Sequence, residues 1–260
     1  KSAKQQTGCI MSALPSLPPS AALALSGAME LNDSEVCFVG IGNPSDAALL
    51  AKHSHAPDMT LIYESGVIGS DPQSPPLSTG SPSVSNGALM ITDGLTVFAE
   101  LQAGRIDVGL LSAAQVDITG SLNSTVIGDY AAPKLRMVGS GGAHDIACLA
   151  KRLVILMPHD ARRFVERVDF STSPGTSPER EALKLGVGPT ALITERARFS
   201  FATGKAQLAA VMPGFTEADA LDGIPWKVEK TFDFHVIESF DANAVRTAEI
   251  RLAHLFKDAS

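Results

Sequence analysis

Short apolar runs separated by longer amphipathic stretches set the tightest limit on how this 260-residue chain folds. Each run has strand character, and strands that alternate with helices along one chain are typical of an α/β protein. We therefore predict an open, largely parallel sheet flanked by helices. The predicted strands are Val36–Ile41, Met59–Tyr63, Val108–Leu111, Leu153–Met157, Thr190–Ile193 and Phe199–Phe201.

Two regions are predicted along the chain. Residues 1–24 are interrupted by Pro15, Pro18 and Pro19 before any continuous apolar stretch forms, so we predict an N-terminal extension that is a candidate for disorder and carries no signal peptide. Residues 25–260 are predicted to form one domain, because neither a repeat nor a change of composition marks a boundary inside them.

Two segments fall outside the strand rhythm. Residues 66–87 are rich in Ser, Pro and Gly, which predicts a loop without regular structure; a loop this long inside a domain is usually functional or part of an interface. Near the C-terminus an apolar stripe at helical spacing predicts a closing helix that packs on the sheet. Its residues are Ala248, Leu252, Leu255 and Phe256.

Composition excludes several classes of partner. The net charge of -7, without a basic run interleaved with aromatics, argues against nucleic acid. No apolar window is long enough to cross a membrane. Cys9, Cys37 and Cys148 lack CxxC spacing, so neither disulfides nor zinc are predicted, and a reducing cytoplasm is expected. His53 and His55 have no further ligands at recognisable spacing, so we predict no metal site.

The first chemical motif is Glu64-Ser65-Gly66, directly after the predicted strand Met59–Tyr63. A glutamate side chain is ionised at neutral pH and acts as a nucleophile without a neighbouring base. The following glycine lacks a Cβ, so a bound acyl group could approach closely. Taken alone, the motif also fits an ordinary strand-end glutamate that is solvated or salt-bridged.

The second motif is the glycine-rich segment Gly139-Ser140-Gly141-Gly142-Ala143, followed by a predicted helix start at His144. Backbone N–H groups in such a segment could form an oxyanion hole beside a thioester carbonyl. A tightly packed turn or a phosphate-binding loop before a helix remains an alternative for this segment.

Taken together, these segments resemble the β subunits of class I CoA-transferases of the glutaconate branch, which includes 3-oxoadipate CoA-transferases. The resemblance covers nearly the whole chain after about residue 25, and the order and spacing of its motifs are specific. They are Cys37 to Gly42 with Pro44-Ser45, Ala56-Pro57-Asp58, Ile62 to Gly66, Gly104 to Gly109, Ala114 to Asp117, Asn123-Ser124-Thr125 with Ile127 to Tyr130, Pro133-Lys134, Gly139 to Ala143, and Ser171 to Gly175.

The resemblance implies a CoA-transferase (NagB-like) fold and ping-pong transfer of CoA between two acids through a glutamyl-CoA thioester on Glu64. It implies backbone oxyanion donors at Gly141 or Gly142, within a CoA-binding segment that includes Gly139 and Ala143, and places Ser65, Gly66 and Gln115 around the acyl group. It also implies an α subunit as partner, a CoA thioester as substrate, and no permanent cofactor.

Several interpretations stay open at the level of sequence. Gln115 could donate to an acyl oxygen, orient Glu64, or make only a structural hydrogen bond. Relatives that act as acyl-CoA hydrolases or decarboxylases typically lack the glutamate, so Glu64 favours transfer; a non-catalytic CoA-binding subunit is a further alternative. A dinucleotide site at Gly40-Ile41-Gly42 ranks low, because the third glycine of GxGxxG is missing. The segment 174–188 looks shorter than in the family, which puts any contacts assigned there in doubt.

Overall fold

A large mixed sheet forms the centre of the molecule in the computed structural model, which describes residues 17–257. Ten strands lie in the order β14-β13-β12-β11-β10-β5-β1-β2-β3-β4. The strands are β1 (Val36–Val39), β2 (Thr60–Tyr63), β3 (Val67–Ile68), β4 (Met90–Ile91), β5 (Val108–Leu111), β6 (Gln115–Val116), β7 (Leu122–Asn123), β8 (Val126–Gly128), β9 (Pro133–Arg136), β10 (Arg152–Leu156), β11 (Pro189–Ile193), β12 (Ala197–Ser200), β13 (Gln207–Val211) and β14 (Lys230–Val236).

The middle of the sheet is parallel and its flanks are mixed. Strands β11, β10, β5, β1 and β2 pair in parallel. Antiparallel pairs add β3 and β4 on one side and β12 and β13 on the other, while β14 returns parallel to β13. Hairpins β6–β7 and β8–β9 stand apart from the sheet. The predicted fold class is thereby confirmed.

Helices cover both faces of the sheet. They are α1 (Pro19–Ala28), α2 (Asn43–Ser54), α3 (Gly94–Gln102), α4 (Ala143–Leu149), α5 (Glu179–Ala182), α6 (Glu217–Leu221) and α7 (Ala242–Arg251), with 3₁₀ turns at Pro82–Ser85 and Ala253–Phe256. Successive strand residues point to opposite faces. Cys37 and Val39 therefore join the core under α1 and α2, whereas Phe38 joins the core under α3 and α4.

The N-terminal helix corrects one predicted boundary. Helix α1 begins at Pro19, and every residue from Ala21 to Ala28 is buried, so residues 19–24 belong to the folded domain rather than to an extension. Residues 1–16, including Cys9, lie outside the described part of the chain.

Two further details differ from the sequence predictions. The segment 66–87 is not wholly irregular, because Val67–Ile68 forms β3 and Pro82–Ser85 forms a 3₁₀ turn. The C-terminal apolar stripe is largely buried as expected, but α7 ends at Arg251 and packs on α2 and α1 rather than directly on the sheet. None of the helices in residues 17–257 combines the length and apolar character needed to cross a bilayer.

Candidate active site

Glu64 lies at the carboxyl end of β2, in a turn that the surrounding backbone fixes. Gly66 donates its N–H to the carbonyl of Tyr63 at 3.0 Å, and its own carbonyl accepts from the N–H of Thr92 at 2.8 Å. Gly66 has a φ of 100°, and a Cβ there would come within 2.6 Å of the backbone of Thr92 and Asp93. Only glycine fits this turn, so Gly66 holds Glu64 against the start of α3.

The residue before Glu64 anchors the turn from below. The Tyr63 side chain is fully buried, and its hydroxyl lies 3.0 Å from Oγ of Ser45 near the start of α2. Burial raises the pKa of Tyr63 to about 12, so its hydroxyl remains protonated at physiological pH. Tyr63 therefore acts as a neutral anchor for the end of β2.

The glycine-rich segment lies directly beside the glutamate. A Cβ built on Gly142 would be 3.0 Å from Oε2 of Glu64, and one on Gly141 would be 3.9 Å from the same oxygen. The fold thus brings together two motifs that are far apart in sequence. They meet because β2 ends beside the start of α4.

Backbone donors in this segment divide into two groups. Gly139 donates to the carbonyl of Ser124, and Ala143 donates to that of Ser140. Among the described residues, no acceptor receives the N–H groups of Gly141 and Gly142. These two donors are therefore available to a bound oxygen atom.

An open cavity of about 590 Å³ adjoins the glutamate. Besides Glu64, the described residues that line it are Ser65, Thr79, Gly80, Phe98, Gly141, Gly142 and Asp145. Four predicted residues are not among them: Gly66, Gln115, Gly139 and Ala143. Glu64 and Asp145 are carboxylates, and this described lining contains no Lys, Arg or His. An anionic substrate would therefore find no countercharge on this wall.

Thr79 contacts the glutamate directly. Its hydroxyl donates to Oε1 of Glu64 at 3.3 Å. Sequence reasoning missed Thr79, Gly80, Phe98 and Asp145 as lining residues. For Thr79 a signal existed, since it belongs to the long Ser- and Pro-rich loop predicted to be functional.

Gln115 lies in a separate polar network. Its amide nitrogen donates to Asp169 at 3.1 Å, and its amide oxygen accepts from Nδ2 of Asn123 at 2.7 Å and from the N–H of Asp169 at 3.1 Å. Both ends of the side chain are therefore engaged away from Glu64, which favours the structural hydrogen bond among the interpretations considered for this residue.

Ser124 supports the glycine segment from outside the cavity. Its hydroxyl donates to the carbonyl of Gly139 at 2.8 Å, which fixes one end of the loop that carries Gly141 and Gly142.

In residues 17–257, no group of three or more His, Cys, Asp or Glu side chains could hold a metal ion.

Comparisons with known proteins point to one family. The family model described as "Coenzyme A transferase" matches residues 23–216. The chain is 39% identical over 241 residues to the B subunit of 3-oxoadipate CoA-transferase from Pseudomonas knackmussii, covering 89% of this chain and 93% of the relative. It is 33% identical over 247 residues to the B subunit of glutaconate CoA-transferase from Acidaminococcus fermentans, covering 88% of each.

Solved structures show the same architecture. The crystal structure of glutaconate coenzyme A-transferase from Acidaminococcus fermentans superimposes with a TM-score of 0.82 at 30% identity, covering 90% of this chain and 94% of the other. The decarboxylase AibA/AibB matches with a TM-score of 0.79 at 23% identity, covering 93% and 98%, and at that identity it shows the fold alone.

Proposed function

The chain belongs to the coenzyme A transferase family, and from that premise we propose that it is the nucleophile-bearing β subunit of an enzyme that moves CoA between two carboxylic acids. One observation carries the proposal. The carboxylate of Glu64 faces an open cavity beside Gly141 and Gly142, whose N–H groups have no acceptor among the described residues. A nucleophile and two oxyanion donors therefore share one site.

The proposed reaction starts with attack by a Glu64 oxygen on the thioester carbonyl carbon of an acyl-CoA. The new C–O bond forms as the C–S bond breaks, so CoA leaves as a thiolate and a mixed anhydride remains. The thiolate then adds to Cδ of Glu64 and expels the first acid, which gives a glutamyl-CoA thioester. A second acid reverses both steps, so the free energy of the thioester is conserved.

The N–H groups of Gly141 and Gly142 have a defined part in this scheme. When a Glu64 oxygen attacks, negative charge develops on the carbonyl oxygen of the substrate. Backbone donors fixed beside that oxygen stabilise the charge without reorganising. The substrate class that we propose, a dicarboxylic or 3-oxo acid, follows the names of the relatives, which act on 3-oxoadipate and glutaconate.

A partner subunit is part of the proposal. Large apolar side chains are between 54% and 95% exposed in the edge strand β4, close to it in the chain, and in the loop that precedes it: Leu77, Leu89, Met90, Ile91 and Leu95. We call these five residues the β4 surface. The opposite edge strand, β14, carries Lys230 and Asp233, and charged side chains of this kind keep an edge from pairing. The α subunit is therefore assigned to the β4 surface, where it would also complete the cavity.

The test uses this chain assembled with its α subunit. Incubation with an acyl-CoA should attach CoA to the peptide that contains Glu64, as detected by mass spectrometry, and borohydride should inactivate the enzyme by reducing the thioester. Glu64→Gln should form no adduct and lower transfer by roughly 10⁴-fold or more, the scale expected when a covalent nucleophile is removed.

The outcomes separate the alternatives. Release of free acid and CoA without transfer would identify a hydrolase, and loss of carbon dioxide a decarboxylase. Binding of CoA without any adduct would identify a non-catalytic subunit. A Glu64→Gln enzyme that still transfers CoA at the normal rate would refute the proposal.

A further inference from the structure

The two oxygens of the Glu64 carboxylate lie in different surroundings. Oε2 is next to Gly142, where a Cβ would come within 3.0 Å of it. Oε1 accepts a hydrogen bond from the Thr79 hydroxyl at 3.3 Å. One oxygen therefore faces the glycine segment and the other faces the loop that carries Thr79.

The loop holds Thr79 in place through its neighbours. The N–H of Ser81 donates to the carbonyl of Ser78 at 3.0 Å, and the N–H of Ser78 donates to the Ser81 hydroxyl at 3.1 Å. The N–H of Gly80 donates to the Ser78 hydroxyl at 3.2 Å. This closed turn presents Thr79 to the cavity. In the hydrogen bond between Thr79 and Glu64 the hydroxyl is the donor, because a carboxylate has no proton to donate.

Resting on the function proposed above, we propose that Thr79 is a catalytic residue that stabilises the negative charge forming on Glu64 itself. When the CoA thiolate adds to Cδ of the anhydride, the electron pair of the Cδ=Oε1 bond moves onto Oε1. Collapse of this intermediate restores the carbonyl, breaks the Cδ–Oε2 bond and releases the first acid with Oε2. The acceptor carboxylate adds to the thioester in the same way, and again Oε1 carries the charge.

The two sets of donors therefore serve different oxyanions. Gly141 and Gly142 lie beside Oε2, the attacking oxygen, so their N–H groups serve the substrate's carbonyl oxygen. Thr79 lies beside Oε1, which stays on the enzyme throughout. Oε1 is neutral in the anhydride and in the thioester, but it carries a full negative charge in the tetrahedral species through which one converts into the other. A donor beside Oε1 therefore stabilises the transition states more than it stabilises the anhydride or the thioester. A bond of 3.3 Å in a resting site often tightens when charge develops.

Gln115 does not compete for this role. Both ends of its amide are engaged by Asn123 and Asp169. Among the side chains of the described residues, Thr79 is the one that donates to Glu64.

The test compares Thr79→Val, which keeps the shape and removes the hydroxyl, with Thr79→Ser, which keeps the hydroxyl. Each variant is assembled with the α subunit and mixed with excess acyl-CoA, and the glutamyl-CoA adduct is followed by rapid quenching and mass spectrometry. Thr79→Val should slow adduct formation by about 100-fold, the loss typical of one oxyanion donor. Thr79→Ser should retain most of the rate.

A second measurement separates this role from a structural one. In Thr79→Val the thiolate is released but recaptured slowly, so water has time to open the anhydride. The ratio of acyl-CoA hydrolysis to CoA transfer should therefore rise in Thr79→Val and stay at the wild-type value in Thr79→Ser. A loss of packing alone would lower both reactions together.

Three results would overturn the inference. Adduct formation in Thr79→Val at the wild-type rate would show that the hydroxyl is not used. Because the wild-type enzyme also forms the adduct in that case, the result would refute the role of Thr79 and leave the proposed function intact. Equal losses in Thr79→Val and Thr79→Ser would assign the effect to packing. If the wild-type enzyme forms no adduct at all, the proposed function fails, and this inference fails with it.

Discussion

Gly142 lies between the Phe98 ring and the Glu64 carboxylate. Its φ of -81° is ordinary for any residue, but a Cβ would come within 2.5 Å of Cζ of Phe98 and 3.0 Å of Oε2 of Glu64. We expect Gly142→Ala to displace the carboxylate and lower transfer by about 100-fold, because a shift of about 1 Å at a reacting group has that effect. Steady-state kinetics of the assembled enzyme measure the loss.

The control for Gly142→Ala removes the Phe98 ring, one of the two groups that the new methyl group would contact too closely. In the double variant Gly142→Ala/Phe98→Ala the new methyl group gains room on the Phe98 side, so part of the activity should return relative to Gly142→Ala. Unchanged activity in Gly142→Ala alone would contradict the placement of the glycine segment beside Glu64.

Asp46, in the first turn of α2, gives a pH dependence of stability. Its side chain is buried, and burial raises its pKa to about 7. The folded protein therefore binds more protons than the unfolded chain between about pH 4 and pH 7, so stability should fall as pH rises through that window. At about 1.4 kcal/mol per pKa unit, the free-energy cost of burying the ionised Asp46 carboxylate reaches a few kcal/mol. This cost exceeds the roughly 0.5 kcal/mol by which the helix dipole stabilises the same charge.

Asp46→Asn tests this dependence. The variant should be more stable than wild type at pH 8 and similar at pH 4.5 in urea unfolding, because the amide has no charge to bury. His254 lies 3.3 Å from Oδ1 of Asp46, and a neutral imidazole could still donate to the amide oxygen. Asp58→Asn, at an exposed position, should change neither value. Lower stability of Asp46→Asn at pH 8 would contradict the prediction.

At the scale of residues, sequence reasoning found the groups with a chemical signature and missed those defined by position. Glu64 and the glycine pair were predictable, because a strand-end carboxylate and clustered glycines are visible in the sequence. Thr79 looks like an ordinary loop residue in the sequence, and only the folded loop brings its hydroxyl to Glu64. Phe98 and Asp145 look like normal helix residues, since only the meeting of α3 and α4 directs them into the cavity.

At the scale of elements, Arg180 in the short helix α5 joins three segments of backbone. Its buried guanidinium donates to the carbonyls of Pro174 at 2.7 Å, Gly175 at 2.8 Å, Gly186 at 3.0 Å and Ala147 at 3.1 Å. The last of these belongs to α4, the helix that follows the glycine segment. Arg180 thus connects the compact 174–188 segment to the candidate site.

We expect Arg180→Met to lower the free energy of unfolding by about 3 kcal/mol or more, because several buried carbonyls lose a charged donor at once. Urea unfolding measures the change. Arg162→Met is the matched control, since Arg162 is exposed and paired with Asp160, and it should change stability by less than about 0.5 kcal/mol. Similar losses in the two variants would refute the structural role of Arg180.

Most strands of the central sheet were predictable from their apolar runs, although β13, which is also largely buried, was not predicted. Strand β5 has the predicted bounds, and β1, β2, β10, β11 and β12 differ from prediction by one or two residues at one or both ends. Strands β3 and β4 escaped prediction because two residues are too few to show an alternating pattern. Strand β14 is long but largely exposed on both faces, so its sequence lacks the apolar run that marks a central strand.

At the scale of the whole molecule, the β4 surface predicts how the enzyme assembles. Ile91→Lys puts a charge into this exposed apolar edge. Binding of the α subunit would then remove water from the lysine ammonium group, which is unfavourable and opposes docking. We expect the variant to fold normally, since Ile91 is 68% exposed, but to lose the α subunit and with it the transferase activity. Sedimentation and activity after co-expression measure both effects.

The matched control is Phe232→Lys on the opposite edge strand, where the side chain is fully exposed. This variant should still assemble and remain active. Loss of assembly in Phe232→Lys together with normal assembly of Ile91→Lys would move the interface to β14 and contradict the assignment.

The acidic wall around Glu64 has a consequence for a cell that makes the two subunits in unequal amounts. CoA carries several phosphate charges, and a surface that presents carboxylates without cations repels such a molecule rather than concentrating it. We therefore expect surplus copies of this chain to bind little acyl-CoA at this wall. In the assembly proposed above, the second chain would have to supply the positive charge that attracts the substrate, so copies of this chain made in excess would not withdraw the coenzyme from other reactions.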